Sequence, residues 1–174
     1  MSAPAGTDML AIYLNDHYTG ATGGLDLFQR AAKARADGEE REVLTNLARQ
    51  VREDRDALAQ IMADLEVSVD RTRMALGWIA EKAGRLKTNG RLLSRSPLSD
   101  LLEAEAMLLG VLGKAACWRA LRTLAETDRR LDAARLDTLL DRAERQAAAL
   151  ERIRVAAAAR NLKPPSAPSP ANPA

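Results

Sequence analysis

Four polar side chains, His17, Asp54, Glu105 and Gln146, each interrupt the apolar stripe of a different helical pattern. An imidazole and two carboxylates, from His17, Asp54 and Glu105, form a donor set that suits a single Fe, Mn or Zn ion, with Glu144 or Gln146 as the fourth group. The same side chains also suit a structural network in which His17, Asp54, Glu105 and Gln146, joined by Arg119, satisfy one another and fix helix register. Each group needs a partner in either case, because an uncompensated buried polar side chain is costly. The network is the preferred reading, since a metal site needs ligand spacing as well as ligand type. No residue is assigned a catalytic role and no cofactor is called for, the single metal ion being the alternative.

Other chemistries find little support. One histidine leaves no basis for a Ser/His/Asp set, and there is neither a glycine-rich phosphate loop after a strand nor a nucleotide fingerprint. The single cysteine, Cys117, excludes an intrachain disulfide and lies in an apolar run, as an inert core thiol would. The 26 basic and 24 acidic residues suit mixed-charge helix faces and give no global nucleic-acid signature. Residues 1–7 lack the basic and apolar parts of a leader, and no stretch approaches a membrane span, so a cytoplasmic protein is expected.

The palette is that of helix formers: Ala, Leu and Arg dominate, with only five aromatic residues. An all-α chain with one domain follows. The first helix is expected from Thr7 or Asp8 to about Ala36, with the stripe Leu10, Leu14, His17, Ala21, Gly24 or Leu25, Phe28, and Ala31 or Ala32. Its stretch Gly20-Ala21-Thr22-Gly23-Gly24 weakens it by roughly 1 kcal/mol per glycine relative to alanine; close approach of a neighbouring helix is the usual reason, and a bound ligand or a local bulge the less common one. The second helix, about Glu39 to Glu66, carries Leu44, Leu47, Val51, Asp54, Leu58, Ile61 and Leu65 in steps of three and four, all on one side.

A third long helix should start after Ser96-Pro97, with Leu98, Leu101, Glu105, Leu108, Leu112, Ala115 and Arg119 as its stripe. The fourth, about Asp132 to Asn161, turns Leu139, Ala143, Gln146, Leu150, Ile153 and Ala157 inward; a neighbouring register would bring Glu144 to the edge of that face. About thirty residues join the second and third helices, far beyond the 2 to 8 usual for adjacent helices, which favours a long crossover. A short helix, Asp70 to Arg85, is expected within it. The crossover also gathers Arg71, Arg73, Lys82, Arg85, Lys87, Arg91 and Arg95 against Asp70 and Glu81, an anion-attracting patch at most, read first as a solvated face. Residues 162–174, rich in Pro, Ala and Ser, are expected to be disordered, as are residues 1–7; the bundle domain is residues 8–161.

Four long helices, a crossover between the second and third, and one polar side chain in the middle of each resemble the ferritin-like superfamily over about residues 8–161. The resemblance implies two metal ions in the bundle core, held by a Glu from each of two helices and a Glu-x-x-His from each of the other two. Glu105 matches the single-Glu role on the third helix, and His17 stands in the corresponding place on the first. Glu53 or Asp54 is followed three residues on by Asp56 or Ala57, Glu144 by Ala147, and His17 is the only histidine, so neither Glu-x-x-His is present. The segments Tyr13-Leu14-Asn15-Asp16-His17 and Gly84-Arg85-Leu86-Lys87-Thr88-Asn89-Gly90-Arg91-Leu92-Leu93 are also similar to segments of actinobacterial proteins to which no activity attaches. The expectation is a ferritin-like four-helix bundle with a short extra helix in the crossover, serving as a non-catalytic binding or interaction module. A protein partner or self-association fits it, and specific nucleic-acid binding or a membrane span does not.

Overall fold

Helical periodicity carries the architecture. The computed structural model describes residues 5–70 and 98–162. They form four helices, α1 (Ala5–Ala34), α2 (Glu39–Asp64), α3 (Leu98–Leu124) and α4 (Ala133–Asn161), with no strand among the described residues. The expected short helix from Asp70 to Arg85, the basic patch and the Pro-rich tail lie outside the described residues but for Asp70 and Leu162.

All seven positions of the α2 stripe are buried, Asp54 included. So are all six inner positions of α4, with Leu136 added one turn earlier. The α4 start is capped by Asp132, whose carboxylate accepts from the Arg135 backbone N–H at 3.1 Å and so satisfies one of the orphan donors of the first turn. At the other end of α2, Glu66 takes a left-handed conformation with φ of 60°. Its N–H reaches the Ala63 carbonyl at 3.0 Å and that of Val67 reaches Met62 at 2.8 Å, a Schellman closure with the side chains of Val67 and Met62 buried.

In α3 the inward face differs from the expected one. The buried residues are Leu101, Ala104, Met107, Val111, Ala115, Cys117, Trp118 and Leu121, whereas Leu98, Leu112 and Arg119 of the expected stripe are exposed and Glu105 is only half-buried. The reason is that α3 carries leucines on several sides (Leu98, Leu102, Leu109 and Leu112 all face outward), so alternate phases compete in the sequence.

Ion pairs between helix ends fix the directions. Arg35, just beyond α1 and with only 8% of its side chain exposed, contacts Glu40 at 2.6 Å in the first turn of α2 and Asp100 at 3.0 Å in the first turn of α3. Arg160 in the last turn of α4 reaches Glu40 as well, at 3.2 Å. At the opposite pole Asp64 of α2 lies 3.9 Å from Arg135 of α4. Hence α1 and α4 run one way and α2 and α3 the other. Since α2 and α3 are parallel, the end of α2 and the start of α3 lie at opposite poles, about 39 Å apart for a helix the size of α2. Its first residues are tied to α1 by Asn15, a buried side chain that donates to the Ser68 carbonyl at 3.1 Å and accepts from the Asp70 N–H at 2.7 Å. No helix among the described residues is long and apolar enough to cross a membrane.

Candidate polar centre and adjoining cavity

One helical turn separates Gln50 from Asp54 on α2, and one turn separates Arg142 from Gln146 on α4, so both pairs present polar atoms towards the same depth of the bundle. Asp54 and Gln146 are each only 1% exposed. The Gln146 amide nitrogen donates to Asp54 Oδ2 at 3.0 Å and to Gln50 Oε1 at 3.1 Å, which uses both of its protons. Between them comes Lys114 from α3, whose ammonium donates to Asp54 Oδ2 and to Gln146 Oε1. Arg142 faces the other carboxylate oxygen of Asp54 and donates to Glu53 Oε2 at 3.2 Å; Glu53 in turn accepts from Arg49 at 2.6 Å. Burial pushes the Lys114 ammonium below the usual lysine range, an effect opposed by Asp54 and assisted by Arg142.

The expected quartet is therefore divided. Asp54 and Gln146 meet in the network, and Gln146 rather than Glu144 is the residue of α4 that faces inward; Glu144 is exposed and pairs with Arg119 at 3.1 Å. His17 and Glu105 are half-buried and take no part in the network. His17 instead packs edge-on against Tyr13, ring centroids 4.6 Å apart, and burial holds its pKa below the ordinary histidine value, with Asp16 working the other way. Glu105 is felt electrostatically by Arg154 of α4. Both oxygens of Asp54 already face cations or an amide, and among the described residues no three side chains of His, Cys, Asp or Glu gather as a metal-binding group. The donor set that the resemblance implies does not fit this centre.

A cavity of about 340 Å³ opens beside the network, between α1, α2 and α3. Phe28, Val51, Leu58, Met107 and Val111 give it apolar walls, Asp54 and Lys114 form its inner polar edge, and His17 stands at its α1 side. Gly20 and Gly24 of α1 and Gly110 and Gly113 of α3 line it too. A Cβ placed at any of the four would meet no atom within 4 Å. This differs from the expectation of a close helix at the α1 glycines: Gly20 and Gly24 border open space, with Gly20 and Gly110 exposed to solvent. Trp118 also lines it; the indole is 1% exposed and its N–H has no acceptor among the described residues. Cys117 alongside is buried, and burial pushes its thiol up to about 12, opposed by a hydrogen bond with Tyr13.

Lys114, Arg142, Gln50 and Trp118 were not legible as site residues from residue type alone. Lys114 had one signal: it stands three residues after Val111 and four before Trp118, in step with the true inner face of α3. No known family model, curated protein or solved structure matches this chain.

Proposed function

We propose that the protein is a ferritin-like bundle that serves as a non-catalytic binding module, with an internal ion-pair network where a bundle metal site would stand. The observation that carries this reading is the ammonium of Lys114 between Asp54 and Gln146. A fixed cation there neutralises the carboxylate and repels a metal ion, and Arg142 adds a second positive charge on the same carboxylate. Each oxygen of Asp54 lies against a cation, Oδ2 against Lys114 and Oδ1 against Arg142. The ferritin-like part of the proposal is supported by the helix order, two antiparallel pairs in which α2 ends at the pole opposite the start of α3. A lone buried thiol suits a reducing compartment, and we place the protein in the cytoplasm.

Elemental analysis of the purified protein, paired with melting in the presence of a chelator, tests the reading. We expect no stoichiometric Fe, Mn or Zn and no change on chelation. Lys114→Met should lose about 3 kcal/mol of stability, because it removes one of the two cations that balance a buried carboxylate and leaves its Oδ2 with an amide alone. Stoichiometric metal whose removal lowers the melting temperature would overturn the proposal in favour of a metalloprotein.

A further inference from the structure

We infer that the cavity between α1, α2 and α3 is a binding site for a small apolar monocarboxylate, its chain between the glycine-lined faces of α1 and α3 and its head group against Lys114 and Trp118. The inference rests on the binding-module reading above and names the class of ligand. Its volume, about 340 Å³, is within the range of ligand pockets, and its walls are apolar with a few polar groups at one edge, as such pockets are.

The head-group assignment comes from unmet donors. Lys114 and Trp118 are one turn apart on α3 and both line the cavity. The indole N–H of Trp118 is buried without an acceptor among the described residues, a situation proteins rarely leave uncompensated. An ammonium has three protons, and Lys114 places two of them, on Asp54 and Gln146. Both residues therefore call for an acceptor oxygen.

Charge selects an anion. At the polar edge the largely shielded charges are Lys114 and Arg142 against Asp54, while the more exposed Arg49 and Glu53 pair with each other at 2.6 Å. That leaves one positive charge in excess. Asp16 and Arg55 also line the cavity, one charge of each sign; Asp16 is exposed to solvent and Arg55 pairs with Asp56 at 2.7 Å. The glycines complete the argument, since four adjoining positions without side chains weaken two helices and leave room that no neighbouring helix occupies.

Isothermal titration of the full-length chain with decanoate, below its micelle concentration, tests this, with decylammonium as the charge-reversed control. Trp118 emission in a Trp78→Phe background provides a second signal. We expect saturable binding of one decanoate per chain, at least tenfold weaker binding of decylammonium, and about tenfold weakening by Trp118→Phe, the equivalent of one hydrogen bond. Gly24→Leu and Gly113→Leu should each abolish binding while keeping the helical circular dichroism of the wild type. Should either leucine variant fail to fold, Gly24→Ala and Gly113→Ala add a single methyl group into open space and should still weaken binding.

No saturable binding, equal affinity for the two head groups, or full affinity in the folded glycine variants would overturn the assignment. Such a result with metal-free protein leaves the binding-module reading standing. Stoichiometric metal would instead remove that reading, whatever decanoate does.

Discussion

The side-chain amide of Gln146 lies 3.0 Å from Asp54 Oδ2, joining the fourth helix to the second at a depth where both residues are almost wholly shielded from water. Gln146 is the hub of the centre because it donates to Asp54 and Gln50 and accepts from Lys114. Removing it leaves three partners short of a bond, Asp54 buried and Gln50 and Lys114 partly so.

Gln146→Leu should therefore destabilise the protein by about 2 to 3 kcal/mol in urea denaturation, the desolvation penalty of groups left unpaired. The triple variant Asp54→Leu, Lys114→Met, Gln146→Leu should lose much less than the sum of its single variants, because apolar replacement of a whole buried network is often close to neutral. Strict additivity would show that these residues act independently.

Stability should fall on mild acidification, and His17 should be part of the cause. Burial lowers its pKa in the folded state, so the unfolded chain binds a proton first as pH drops. The contribution is fully present above the ordinary histidine value of about 6.5 and is lost as pH falls from there through the lowered native value. Denaturation of the wild type and of His17→Gln between pH 7.5 and 5 checks this. The substitution should flatten the slope, and an unchanged slope would assign it to other groups.

Glu66→Gly should stabilise the chain. A non-glycine residue in the left-handed region carries a penalty of roughly 1 kcal/mol, and glycine at this position of a Schellman closure does not. The side-chain contact at risk among the described residues is a solvent-exposed ion pair with Arg130 at 3.8 Å, of little energetic value. A rise in melting temperature is expected, and a fall would mean that the Glu66 side chain holds more than its backbone geometry suggests.

Much of the fold was legible because α2 and α4 each concentrate their apolar residues on one face, so that Asp54 and Gln146 stood out as polar residues within an otherwise apolar stripe. The α3 register was not, for leucine surrounds that helix and the inner face is built from smaller residues, Ala104 and Ala115 among them. With the phase misplaced, Glu105 was turned inward and Lys114 left outside. His17 was placed on the correct side of α1, but that side fronts the cavity at this level, so the imidazole is half-buried rather than enclosed. A lysine that neutralises a buried aspartate across two helices has no spacing rule. Its partner lies 60 residues away, and only the packing brings them together.

The central claim is that Lys114 supplies the charge that balances Asp54, and nuclear magnetic resonance of the lysine ammonium groups tests it directly. Lysines are few (Lys33, Lys82, Lys87, Lys114 and Lys163), so Lys114→Arg assigns the signal. At neutral pH we expect a Lys114 ammonium resonance protected from solvent exchange, unaffected by added Zn or Mn, and lost from the protected state in Asp54→Asn. A Lys114 signal that exchanges like those of exposed lysines, together with metal-induced changes at Asp54, would contradict the account.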